Sequence, residues 1–125
     1  MSGSPMETHG MFSWCGHNGK APKAAKAFYA DVLGWTIADQ EMGDGSTYSV
    51  IMVGEQPIGG FPTEANGDGH WLPYVTVDDV DKRVAAAEKA GAKVVSPAMS
   101  VPGVGRMATI ADPFGAKIAF IAYGG

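Results

Sequence analysis

With 125 residues, 46% of them hydrophobic and 18% charged, the chain has room for one folded domain with its own core, which excludes a disordered tail. Nine basic residues against thirteen acidic ones leave a net charge of −4, and only Arg83 and Arg106 are arginines, so nucleic acid is excluded as a partner. No apolar run reaches the roughly 18 residues a bilayer demands and no signal sequence opens the chain, while the lone Cys15 permits neither an internal disulfide nor a paired-cysteine zinc site. A soluble, cytoplasmic protein without a membrane partner is expected.

Residues 1–10 are small and polar without periodicity and read as a flexible N-terminal arm. The second methionine, Met6, raises the prospect that Met1 to Pro5 is a remnant of recombinant expression. Residues 11–125 read as a single domain. Met11 to His17 alternates, with Phe12 and Trp14 on one side and Ser13, Cys15 and His17 on the other, which predicts a strand. Pro22 then suits a first helical turn, and Ala25, Phe28, Tyr29, Val32 and Leu33 form an apolar stripe that Gly34 ends. Lys20, Lys23 and Lys26 lie off that stripe, on a solvated face.

Strands are expected at Trp35 to Gln40, Thr47 to Val53 and Pro57 to Phe61, with turns at Gly43-Asp44-Gly45 and at Gly54 to Gln56. A polar, glycine-bearing connector from Pro62 to Gly69 marks the midpoint. The order then repeats. A strand at Trp71 to Val77 precedes Asp78 and Asp79, placed to cap a helix whose buried stripe is Val80, Val84, Ala87 and Ala90, with Gly91 at its end. Strands at Lys93 to Pro97, Arg106 to Ala111 and Lys117 to Ala122 follow, the last two joined by a turn at Asp112-Pro113-Phe114-Gly115. The loop at Val101 to Gly105 leads into a strand, so Gly103-Val104-Gly105 is no phosphate cradle. The chain therefore reads β-α-β-β-β twice, as modules 11–62 and 70–122, and helix ends and turns account for eight of the 18 glycines: Gly34, Gly43, Gly45, Gly54, Gly91, Gly103, Gly105 and Gly115.

Ala27-Phe28-Tyr29 leading to Leu33-Gly34-Trp35, then Val77-Asp78-Asp79-Val80, then Asp112-Pro113-Phe114-Gly115, together resemble the glyoxalase/bleomycin-resistance/extradiol-dioxygenase superfamily, also called vicinal oxygen chelate. The resemblance covers roughly Met11 to Ala122. It implies an α+β fold in which two βαβββ modules form one cup-shaped, mostly antiparallel sheet with the helices outside, a ligand in the cup, and often a homodimer. Alternation agrees with two differing faces: Phe12, Trp14, Trp71, Val75, Val77, Ile118 and Phe120 share the parity expected toward the helices. Ser13, Cys15, His17, His70, Leu72, Tyr74, Thr76, Lys117 and Ala119 share the other.

Metal-dependent members of the superfamily hold a divalent ion with His, Glu or Gln side chains on the first and last strands of each module. The matching positions here fall on Ser13, Leu72, Ala119 and, near the end of module one, Gly59 or Gly60. None is a ligand for a divalent transition metal. The resemblance therefore implies a lost metal site, and no cofactor is expected. Three alternatives stay open: a replacement metal at Cys15, His17 and His70; a nucleophilic Cys15 paired with His70; and ordinary packing of all three. His9, in the arm, carries no assignment.

The expected function is the binding of a small organic molecule without metal, through Ser13, Cys15, His17, His70, Leu72, Tyr74, Arg106, Lys117 and Ala119. The direction of Arg106 is open, because the preceding loop leaves its register unset. The alternatives are a glyoxalase-like lyase or dioxygenase with a displaced or dimer-supplied metal, and a protein whose dimer interface is its function.

Overall fold

The computed structural model describes residues 4–41, 47–62, 67 and 69–124. The expected Gly43-Asp44-Gly45 turn and part of the Pro62 to Gly69 connector lie outside these residues. The described chain contains strands β1 (Phe12–Asn18), β2 (Thr36–Glu41), β3 (Thr47–Val53), β4 (Gln56–Phe61), β5 (His70–Thr76), β6 (Lys93–Val101), β7 (Gly105–Ala111) and β8 (Lys117–Tyr123). Two α-helices, α1 (Pro22–Leu33) and α2 (Val80–Lys89), and a 3-10 turn at Pro5–Glu7 complete it. No helix among the described residues is long and apolar enough to cross a membrane.

Two compact units divide the chain, Trp14–Leu72 and Met1–Ser13 with Pro73–Gly125. In the first the strands lie in the order β2-β3-β4-β1, and in the second β5-β8-β7-β6. β1 runs parallel to β4 and β5 parallel to β8, while β2 with β3, β3 with β4, β6 with β7 and β7 with β8 pair antiparallel. The second unit thus repeats the strand order of the first, as a duplicated βαβββ pattern requires. Its strand β6 runs four residues beyond the expected end at Pro97, because register shifts between Val94 and Met99 carry the strand past the proline.

Both helices form where the sequence places them. Pro22 opens α1, and Gly34 closes it in the left-handed conformation at φ 70°, its N–H bonded to the Ala30 carbonyl. At α2 only Asp79 is the cap: its carboxylate accepts the Lys82 N–H at 3.1 Å. Asp78 instead takes two hydrogen bonds from Arg83, at 2.8 and 2.9 Å. Val80 is buried against Val77 and Ala108, with Val75, Val84, Ala98, Phe120 and Ala122 around them. This is the core under α2.

The α1 stripe is only half used. Tyr29 packs against Trp35, Phe61 and Trp71, but Phe28, Val32 and Leu33 are each more than half exposed. A five-residue stripe is wider than the strip of sheet this short helix covers, so its outer edge faces solvent in the single chain.

Residues 4–10, expected as part of a loose arm, make hydrogen bonds to Thr76 and Asp78 of their own unit. Thr76 Oγ1 donates to the Pro5 carbonyl at 2.7 Å, Gly10 N–H to the Thr76 carbonyl at 2.8 Å, and Asp78 N–H to His9 Nδ1 at 3.1 Å. A polar segment without periodicity gives no sign of such pairing, because backbone groups make most of it.

Candidate functional site

Strand register sorts the second unit into two faces. Val75 pairs with Phe120, and Phe120 with Ala108, a row that belongs to the α2 core. The residues between point the other way: Tyr74 pairs with Ala119, Ala119 with Thr109, and Thr109 with Ser96. The next row on that face joins Thr76 to Ile121 and Ile121 to Met107. Tyr74, Ala119 and Lys117 therefore share the face opposite α2, as their parity predicts, with Lys117 exposed at its end.

That face carries a cluster of hydroxyls. Ser13 Oγ and Tyr123 Oη lie 2.8 Å apart, and Ser13 Oγ is also 2.8 Å from Thr76 Oγ1. Thr76 is only 5% exposed, and Tyr123 is half-buried, which pushes its phenol above the ordinary range against the opposing effect of the Ser13 hydrogen bond. The Tyr123 phenol is therefore neutral near pH 7. The last strand runs one residue past its expected end at Ala122, to Tyr123. Carrying the alternation of Lys117, Ala119 and Ile121 one step further places it on the same face.

Arg106 turns to the other face. Its guanidinium grips Asp81 of α2 with two hydrogen bonds of 2.8 and 2.9 Å and donates to Ser100 Oγ at 3.1 Å. Arg106 pairs with Ala122, part of the α2 core row, which fixes its direction. As a ligand contact on the hydroxyl face it is corrected.

In the first unit, His17 also departs from its expected place. Parity sets it apart from Trp71, yet the two rings meet edge to face at 5.0 Å, and Phe61 lies 5.0 Å away on another side. Parity holds only along a regular pleat, and here β1 meets β4 where Cys15 pairs with Gly59 and Gly16 with Gly60, glycines that offer no side chain to hold the pleat. Among the described residues, buried His17 Nδ1 has no hydrogen-bond partner, and burial, followed by the nearby His70, lowers the imidazole pKa. His17 is thus a neutral ring among aromatics. His70 accepts from the Asn18 amide at 3.3 Å. Burial raises the Cys15 thiol pKa, the opposite of what an activated nucleophile needs.

The two adjacent glycines have packing explanations. A Cβ on Gly59 would strike the Cys15 carbonyl, and one on Gly60 would overlap the Tyr48 ring. Tyr48 itself stacks on Trp14, whose indole N–H donates to the tyrosine oxygen at 3.2 Å.

The residues do not fit the superfamily's metal. Ser13 is engaged by Tyr123 and Thr76, Leu72 and Ala119 are buried and apolar, and Gly59 and Gly60 offer no side chain. Among the described residues, no three His, Cys, Asp or Glu side chains are grouped to hold a metal ion.

Two mixed four-stranded arrangements, each with one helix and each following the same βαβββ pattern, define the glyoxalase class of folds. The chain belongs to the Glyoxalase/Bleomycin resistance protein/Dioxygenase superfamily, whose family model matches residues 12–120. CFP32 of Mycobacterium bovis, which carries a provisional glyoxylase name, is 38% identical over 97 residues, covering 76% of this chain and 37% of the relative. The anthracycline biosynthesis protein DnrV of Streptomyces peucetius is 34% identical, covering 77% of this chain and 41% of that protein. The chain thus spans about two fifths of the length of these curated relatives. Among solved structures, methylmalonyl-CoA epimerase from Mycobacterium tuberculosis shares the fold at a TM-score of 0.62 and 17% identity, covering 100% of this chain and 94% of that one. The Mn(II)-bound glyoxalase from Novosphingobium aromaticivorans does so at 0.61 and 24% identity, covering 88% of this chain and 38% of that one.

Proposed function

We propose that this chain binds a small, neutral organic molecule on the face of β5, β8 and β7 opposite α2, without the divalent ion of metal-dependent relatives. The observation that carries the reading is the hydroxyl cluster of Ser13, Thr76 and Tyr123 beside Tyr74 and Ala119. Hydroxyls and an aromatic ring on an otherwise small or apolar face suit a partly aromatic ligand with a few polar groups. The name of the DnrV relative, which places it in anthracycline biosynthesis, is consistent with such a ligand. Lys117 at the exposed end of the face is the one charged group of the nine expected contacts kept in this reading. A cytoplasmic homodimer is part of the same proposal, and sedimentation tests its oligomeric half.

The second reading is a glyoxalase-like lyase or dioxygenase, favoured by the identity to CFP32. It needs metal donors from a second copy, because the inherited positions here supply none. Elemental analysis of protein purified without a histidine tag separates the two. Sub-stoichiometric metal, with thermal stabilisation by small aromatic compounds, is the expected result. Stoichiometric zinc, nickel, iron or manganese overturns the first reading, as does the absence of stabilisation by any compound.

A further inference from the structure

The deepest hydroxyl of the candidate face is already bonded to a carbonyl, and that carbonyl belongs to the chain itself. Thr76 has one hydroxyl proton and meets two acceptors, the Pro5 carbonyl at 2.7 Å and Ser13 Oγ at 2.8 Å. The 3-10 turn Pro5–Glu7 packs against β8, the strand that supplies Ala119 and Tyr123 to the same face. We infer that residues Ser4 to Gly10 form a strap that occupies the ligand face, the Pro5 carbonyl standing where a ligand carbonyl binds. This rests on the binding reading above and adds to it a ligand class, a neutral carbonyl compound with an apolar body, and a means of control.

The attachment suits a part that leaves and returns. The 3-10 turn buries no residue fully, so little apolar surface resists its release. Three hydrogen bonds hold the strap at its ends: Thr76 to Pro5, Gly10 to the Thr76 carbonyl, and Asp78 N–H to His9 Nδ1. Internal bonds keep its shape, since Glu7 N–H and Thr8 Oγ1 both donate to the Ser4 carbonyl, at 3.0 and 2.9 Å. A ligand carbonyl that takes the Thr76 proton exchanges one hydrogen bond for another, so the strap's release costs no buried donor its partner.

The polarity of the cluster supports the same ligand class. The bond between Ser13 and Tyr123 can run in either direction. When the Pro5 carbonyl lets go, Thr76 offers a donor, and Ser13 and Tyr123 reorient without moving a heavy atom. Among the described residues these hydroxyls bond to one another and to the Pro5 carbonyl, so the cluster itself gives a charged ligand group no counter-ion, and Lys117 lies away from it at the exposed end of the face.

The test uses the full chain and a glutamyl endopeptidase, following the product cut after Glu7 by mass. Thr76→Val removes the Pro5 anchor, His9→Ala removes the Asp78 anchor, and Thr76→Ser keeps the hydroxyl. Cleavage is expected to quicken about five-fold in each of the first two, as the loss of one hydrogen bond implies, and to stay near the parent rate in Thr76→Ser. Saturating acetophenone, a neutral aryl ketone, is expected to quicken cleavage of the unaltered chain and to shift the amide resonances of Thr76 and Gly10. Unchanged cleavage in both Thr76→Val and His9→Ala overturns the strap. Acetophenone shifts at Tyr74 and Ala119 without faster cleavage overturn the competition. If acetophenone shifts no amide on this face while other compounds stabilise the protein, the carbonyl class falls and the binding reading stands.

Discussion

The ring of Tyr48 lies against the Cα of Gly60, in the space a side chain at position 60 would fill. Trp14 holds that ring in place by stacking and by an N–H to oxygen bond of 3.2 Å. Gly60 is therefore a consequence of close packing across β3 and β4, where Val50 is its partner. Gly60→Ala is expected to lower stability by about 1–3 kcal/mol, the usual cost of overpacking. In a Tyr48→Ala background the same substitution should cost much less. A double-mutant cycle by urea denaturation measures this, and equal costs in the two backgrounds would refute the steric account.

His17 makes stability depend on pH near neutrality. Burial first and His70 second lower its pKa in the folded chain below the ordinary 6.5. For a base so shifted, the unfolded chain takes up the proton more readily. Its contribution is therefore intact above about pH 6.5 and is lost as pH falls below that value. The slope from one proton cannot exceed about 1.4 kcal/mol per pH unit. His17→Phe keeps a ring among Phe61, Trp71 and Tyr29 and should flatten the melting temperature between pH 7.5 and 5.5. A parent-like slope in His17→Phe would assign the effect elsewhere.

Asp78 governs a more acidic window. The Arg83 hydrogen bonds, ahead of the charge itself, hold its carboxyl at about 2, below the ordinary 3.8. A depressed acid stabilises the fold above its unfolded pKa and ceases to do so as pH falls through the folded one. The loss falls between about pH 4 and pH 2. Because both side chains are exposed, the effect is small and salt-sensitive. Arg83→Gln should reduce the acid-limb steepness at low ionic strength, with the difference shrinking in half-molar salt. A salt-independent difference would point to packing of the arginine stem.

The elements were legible because local chemistry sets them. Pro22, Gly34, Asp79 and the Asp112 to Gly115 turn each act within a few residues, and Asp112 does accept the Phe114 and Ala116 N–H groups. The face of Tyr74, Ala119 and Lys117 was legible for the same reason, since alternation survives along regular strands. What escaped depends on distant partners. Arg106 is aimed by Asp81, 25 positions away in sequence, and His17 by rings from α1, β4 and β5. The docking of residues 4–10 depends on Thr76, more than sixty residues on, and leaves no periodic trace.

Tyr123 and Arg106 give opposite expectations for ligand binding. They lie one strand apart, on β8 and β7, but on opposite faces of the second unit. Tyr123→Phe removes one hydroxyl from the cluster and keeps the ring, so stability should fall by only about 1 kcal/mol. Affinity for a compound found by thermal-shift screening should fall by about five- to ten-fold, the scale of one hydrogen bond. Arg106→Ala should leave that affinity unchanged, because the guanidinium is committed to Asp81 on the α2 side. Calorimetric titration of both variants with the same compound decides the matter. Weakened binding in Arg106→Ala with normal binding in Tyr123→Phe would move the ligand to the α2 side. There Arg106, Ser100 and Gly105 line a hollow of about 270 Å³.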